Sequence, residues 1–347
     1  MNIRYIYWFA LFDLTSPSVR YRGKYLLDEL GSKYGIRYSI AYPGYDLRRM
    51  VIFIRMFLSA LLFRKKNSLI VIQRVYTRGI YATALKILIR LRGRNSVYDI
   101  DDAEYVPNSP ETIHFFMKHC TACCVGSQNL LVYARNFNPN SFLLTTPVTF
   151  HNKKKIGINQ VLTIGWIGCF WGGHRDSLYS LFFPALLTIP FPVKIVILGA
   201  RSTKDKQELI NYLSSNKNVI PDIPEEMDWL DEDAIYERVR EFDFGISPLL
   251  DTEINRSKSG YKLKQYFSCG VPALGSDIGE NSVFLKHGVN GYFCNTPEEY
   301  REMILKIKSL PEDEYRALSE NAYLSRKEFD IRYYSDAFLC QVSHLLS

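Results

Sequence analysis

A chain of 347 residues is long for one hydrophobic core and suits two domains, and 47% hydrophobic with 23% charged residues describes an ordinary globular protein. The +7 net charge sits wholly in the first half: residues 1–150 hold 20 Lys and Arg against 9 Asp and Glu, and the remainder 23 against 27. Such a basic half suits nucleic acid, a membrane surface or a phosphate-bearing acceptor, and with no RNP, zinc-finger or helix-turn-helix signature beside it nucleic acid is the least supported.

Residues 4–11 read as a buried opening strand; the apolar run is too short for a signal peptide and lacks a small-residue cleavage site. Ser16-Pro17-Ser18 then caps a helix over 19–33 whose first turn crowds Arg20, Arg22 and Lys24. Cations at a helix N-terminus oppose its dipole, so local stability does not explain them. Either they form a solvated face, or Arg20 and Arg22 meet a phosphate or an acidic acceptor. A short strand follows at 38–41. In residues 46–67 the apolar core is thirteen residues long (51–63) and interrupted by Arg55, too short to span a bilayer. Drawn as a helix, it places Arg48, Arg55, Ser59 and Lys66 on one narrow polar stripe. That pattern suits a crossover helix buried against a sheet. The alternative is a helix lying in a membrane interface with its basic ends on anionic headgroups.

Strands follow at 68–73, 95–100 and 121–126, with a helix at 80–91, and polar residues recur where strands end: Arg74, Asp101, Asp102 and Ser127. Alternation of this kind predicts a parallel, doubly wound α/β sheet. Cys120, Cys123 and Cys124 lie in an apolar stretch with no His at ligand spacing beyond His119. They read as buried free thiols, in a reduced, cytosolic chain.

Residues 150–159, polar and basic without periodicity, read as the interdomain linker. A second alternating unit begins with a strand at 162–167, then Gly168 and a loop carrying Gly172-Gly173-His174-Arg175. Another strand, 193–198, ends at Gly199, and a helix covers 229–240. The stretch 242–293 is the most informative. An apolar run ends at Ser247-Pro248, a polar loop follows, and a helix over 260–268 stops at Gly270 as a C-terminal glycine should. A strand at 271–274 then leads into Gly275-Ser276-Asp277 and Gly279. Loop amides and a helix start beside Lys258 and Lys262 suit a negatively charged group, most naturally a phosphate, at the strand ends of a parallel sheet. Amphipathic helices close the chain at 297–309, 312–329 and 333–346, the last with Phe338, Val342 and Leu345 on one face.

Three pieces of 242–293, in order, carry a resemblance: FDFGISPL; K-x3-K-x2-Q-Y-x2-C-G-x-P from Lys258; and GSDIGEN with HGVNGY. Together they resemble the donor-binding half of GT-B glycosyltransferases of the retaining family 4 type, and YDIDD (98–102) and VGSQNL (125–130) extend the likeness over most of the chain. The resemblance implies an α/β fold of two Rossmann-like doubly wound domains facing across a cleft. The acceptor domain would span 1–152 and the sugar-nucleotide domain 160–331, with the helix 332–347 returning to the first. It implies a nucleotide-diphosphate sugar as co-substrate, no bound cofactor and no metal. Cationic side chains and helix dipoles would then stabilise the leaving diphosphate. Lys258, Lys262 and Arg256 are the candidates, with Gly168 and Arg175 opposite and Ser276, Gly279 and Asn281 in the donor loop. Arg20, Arg22 and Arg74 fall to the acceptor side.

The chain departs from that family in two places. Where many members carry two glutamates eight positions apart, this chain has Ser257 and Gln265. Glutamine can still bond a ribose diol, but serine cannot replace a carboxylate. Where related enzymes often place a His, this chain has Gln73-Arg74, and Arg74 cannot act as a base. Asp101 or Asp102 is then the candidate to polarise the acceptor hydroxyl, unless both cap the following helix. His174 reads as incidental. The implied activity is hexosyl transfer to a glycan or lipid-linked glycan in bacterial surface polysaccharide synthesis, in the cytoplasm or peripherally on the inner membrane surface. The alternatives are a GT-B sugar-nucleotide epimerase and a catalytically silent subunit that binds a sugar nucleotide.

Overall fold

The computed structural model describes residues 3–44, 46–149 and 151–346, so Phe150, the first residue of the expected linker, lies outside the described residues. The chain divides into two compact units: Met1–Thr149 with Ser257–Ser259 and Phe329–Ser347, and Phe150–Arg256 with Gly260–Glu328.

The first unit holds a six-stranded parallel sheet of β1 (Tyr5–Ala10), β2 (Arg37–Ala41), β3 (Ser68–Gln73), β4 (Ser96–Ile100), β5 (Ala122–Val125) and β6 (Ser141–Leu143), in the order β2-β1-β3-β4-β5-β6. β1, β3 and β4 are buried along their whole length. That is the mark of a parallel strand covered on both faces, and it is why β1 and the centre of β3 read as continuous apolar runs, while β4 buries Asp99 among its apolar residues. The strand order reverses between β1 and β3, and Arg74 follows directly on β3. The second unit repeats the design with β7 (Leu162–Ile167), β8 (Val193–Leu198), β9 (Val219–Asp222), β10 (Phe244–Ser247), β11 (Ala273–Gly275) and β12 (Gly291–Phe293), in the order β12-β11-β10-β7-β8-β9. Its order reverses between β7 and β10. In open α/β sheets the C-terminal ends of the strands flanking such a reversal are where ligands bind. The expected doubly wound α/β class is therefore what both units display.

Several local expectations are corrected. The helix expected over 19–33 opens with a π-helical segment, Val19–Lys24, before regular α-helix from Tyr25 to Tyr34. Ser18 does not cap it; its hydroxyl donates to Asp101 Oδ2 at 2.5 Å. The segment read as a linker is pinned to the second unit. Lys155, 5% exposed, pairs with the fully buried Asp243 at 3.0 Å, and Asp243 also accepts the amides of Asn159 and Thr163. The helix Leu47–Leu62, capped by Asp46, is not the buried crossover its pattern suggests: only Met56 and Ala60 are fully covered. The C-terminal helix Ile331–Leu346 packs on Tyr25–Tyr34, where Asp336 receives both Lys33 at 2.6 Å and the Tyr34 hydroxyl at 2.6 Å.

Candidate functional site

In the second unit the ends of β7, β8 and β10 come together around small residues. A Cβ at Gly199, where φ is +129°, would fall 1.6 Å from the Gly168 carbonyl oxygen, and one at Gly168 would fall 2.9 Å from Lys262 Cε. The two strand ends therefore approach closely enough that only glycine fits, and the Lys262 side chain lies directly over the β7 end. Lys262 is on the first turn of the helix Tyr261–Ser268. Its ammonium lies 3.1 Å from His174 Nε2 and 3.2 Å from Nδ1, and 5.6 Å from the Trp166 ring centroid. His174 is thus not incidental: the short helix Gly172–Ser177 sets it against the lysine. Gln265 follows one turn after Lys262 and is almost wholly buried.

The next residue ties this helix to the sheet reversal. Tyr266 donates its phenolic proton to Ile246 O in β10 at 3.0 Å and accepts the Ile167 amide of β7 at 3.2 Å. Its ring occupies the space a side chain at Gly245 would need, 2.3 Å from the would-be Cβ. The lysine is therefore held at the reversal point by a rigid buried helix rather than a mobile loop. A fixed ammonium at that point offers a positive charge to an anionic group.

The other donor-side candidates have different surroundings. Ser276 Oγ accepts the Leu249 amide at 3.0 Å, and Asn281 donates to Ser247 O at 3.0 Å, so both brace the loops after β10 and β11. Gly279, with φ +56°, lets the chain pass Arg256 O, which a Cβ would approach to 2.7 Å. Arg256 is exposed and engaged by Asp251 at 2.6 and 2.8 Å. Arg175 points along the surface to Glu208, with its guanidinium 5.5 Å from the Tyr179 ring, and does not converge on Lys262.

The first unit gathers charge at the end of β3. Arg74, held at φ +53°, lies 3.4 Å from Asp101, 3.2 Å from Asp102 and against Glu104, and donates to Ser18 Oγ at 2.8 Å. Asp101 and Asp102 therefore surround an arginine and do not cap a helix; the next helix begins only at Glu111. Asp101 and Glu104 both have carboxyl pKa values raised above the ordinary range, chiefly by burial and against the pull of Arg74, with Asp102 adding repulsion. Asp102 is the accessible member of the three. Lys258 approaches it at 3.9 Å, and Ser257, fully buried, accepts a hydrogen bond from Asn129 at 2.8 Å.

Arg22 requires a correction. Rather than presenting itself to an acceptor, it is 2% exposed and forks onto Asp99 at 2.6 and 3.1 Å, with further bonds to Leu144 O and Cys124. Arg20 is also buried and donates to the carbonyls of Leu14 and Thr15 at 2.8 and 3.0 Å, closing the preceding turn. Of the three arginines, Arg74 alone lies within a carboxylate cluster at a strand end. Sequence reasoning missed Glu104, Ser18 and Asp99. Only Asp99 left a signal, a carboxylate inside a fully buried strand that demands a cation. Among the described residues no group of three or more His, Cys, Asp or Glu is placed to hold a metal ion.

No family model matches this chain, and no curated protein matches it. Among solved structures it is similar to sucrose-phosphate synthase from Thermosynechococcus elongatus, at 10% identity over 99% of each chain with a TM-score of 0.74. It is also similar to HepE of Anabaena in complex with UDP and glucose, at 12% identity over 98% of this chain and 100% of that one, TM-score 0.72. A glycosyltransferase from Rickettsia africae matches at 12% identity over 99% of each chain, TM-score 0.70. At these identities the likeness carries the fold, and the chain has the two-unit GT-B fold.

Proposed function

We propose that this chain is a glycosyltransferase that moves a hexose from a nucleotide-diphosphate donor to a glycan or lipid-linked glycan, with retention of configuration and without a metal. The observation that carries the reading is the Lys262 ammonium fixed over the glycine-built end of β7, at the reversal point of its sheet. A charge there meets a diphosphate as the glycosidic bond breaks and negative charge grows on the leaving oxygen. Gln265 bonds the ribose diol, and the UDP and UDP-glucose named with HepE make uridine nucleotides the first donors to test. On the acceptor side Asp102 receives the hydroxyl proton, and Asp101 and Glu104 keep Arg74 in place. We place the reaction in the cytoplasm, on a surface-polysaccharide acceptor; all seven cysteines are free thiols, which a reducing compartment would keep so.

The test is a nucleotide-sugar panel read by thermal shift, followed by donor hydrolysis and transfer, with the anomeric product identified by NMR. Stabilisation by one donor and its slow hydrolysis are expected, both lost in Lys262→Ala. Full activity in that variant would overturn the site. A second reading, a silent subunit that binds the donor, is favoured by Ser257, whose buried hydroxyl stands where many family 4 enzymes carry a glutamate. Stabilisation by a donor with neither hydrolysis nor transfer would select it.

A further inference from the structure

The helix Leu47–Leu62 is apolar on the wrong side. Met56 and Ala60 face the core, with Phe53, Phe57 and Leu61 half-buried around them. At 3.6 residues per turn the opposite face carries Leu47, Val51, Leu58 and Leu62, spaced four or seven apart along one stripe, and all four are exposed. Leu47 is 76% exposed and Phe63, just past the helix end, 77%. The neighbouring helix Ile80–Arg92 packs beside it and adds Ile80 at 90% and Leu91 at 64%. Scattered surface leucines need no explanation, but a continuous outward stripe on one helix, extended by a second, does.

Charge says what covers it. Residues 47–94 contain 12 Lys and Arg and no Asp or Glu. Arg48 and Arg55 border the stripe, Lys65 and Lys66 stand exposed just past its C-terminal end, and Arg90 and Arg94 are exposed on and beyond the second helix. An apolar stripe flanked by Arg48 and Arg55 and followed by exposed lysines, with the Asp46 cap at its N-terminal end, is the chemistry of a helix lying in the headgroup region of an anionic bilayer. Among the described residues no helix is long and apolar enough to cross a membrane. We infer that the first unit docks on an anionic lipid surface through the outward face of Leu47–Leu62, the apolar side chains entering the acyl boundary and the arginines and lysines meeting lipid phosphates. The inference is read from this surface alone and does not depend on the transfer reaction.

The experiment is flotation of the full chain with phosphatidylcholine vesicles, with and without phosphatidylglycerol, at low and high salt. Binding should require phosphatidylglycerol and weaken at high salt. Leu58→Glu with Leu62→Glu should lower partitioning at least about tenfold, because carboxylates enter the stripe itself. Arg48→Glu with Arg55→Glu should remove the dependence on phosphatidylglycerol. Circular dichroism and the thermal midpoint should stay at parent values, since none of these side chains faces the core. Absence of vesicle binding at low salt would overturn the proposal. So would a dimer, seen by light scattering and dissociated by the leucine variants, in a chain that ignores vesicles, because the stripe would then be a protein interface.

Discussion

Replacing Asp99 with Asn isolates what the Arg22–Asp99 pair does. The substitution keeps shape and removes one charge, leaving a guanidinium that is 2% exposed with no counter-ion at its fork. Two bonds of 2.6 and 3.1 Å to the carboxylate become at best one to an amide oxygen, while the bonds to Leu144 O and Cys124 cannot neutralise the charge. Breaking a buried pair from one side costs about 3–5 kcal/mol. At about 2–4 °C per kcal/mol for a unit of this size, the first unit's calorimetric transition should fall by about 6–20 °C. The double variant Arg22→Met, Asp99→Leu removes both charges and should recover more than about 2 kcal/mol of that loss. It should also keep the acceptor KM of the parent, because Arg22 is spent on the fold. Calorimetry over both units, with acceptor kinetics on the double variant, is the assay. An Asp99→Asn protein within about 1 kcal/mol of the parent, or a folded double variant with a sharply raised acceptor KM, would refute the reasoning.

Lys262→Met should lower kcat for transfer about 100- to 1000-fold with an unchanged thermal midpoint, since the ammonium is half-buried over a glycine-lined surface; steady-state kinetics beside a melt checks it. Asp101 has a folded-state pKa above its unfolded value of about 3.9, so its contribution to stability is largest below that value and declines as pH rises through the raised one. The stability of the parent relative to Asp101→Asn should therefore fall from pH ~4 upward and then level off, as denaturant titrations across that range would show. Thiol labelling of the native chain should find Cys340 fast and Cys169 slower. The other five should react only after unfolding: all are buried, and burial pushes the thiols of Cys123, Cys269 and Cys294 up to about 12.

The strands were legible because parallel strands covered on both faces leave unbroken apolar runs, and the loops because glycines mark their ends. Lys262 was legible because it sits one turn before Gln265 in a helix bounded by Gly260 and Gly270. Partnerships across the chain were not. Arg22 and Asp99 are 77 positions apart, and nothing local distinguishes an arginine turned into a core from one turned to solvent. Asp243 likewise recruits Lys155, which composition alone assigns to a linker. The helix Leu47–Leu62 failed for another reason: when both faces are apolar, periodicity does not say which one the sheet covers.

The phenol of Tyr266 bears on how this sequence can drift. Phenylalanine would fill the same space beside Gly245, so packing does not distinguish the two. The missing oxygen would orphan the Ile167 amide and the Ile246 carbonyl together, each at about 1–3 kcal/mol. A one-atom change in the buried core would then loosen both strands on which the lysine rests. Relatives that keep the chemistry should hold tyrosine at this position more strictly than its neighbours in the core.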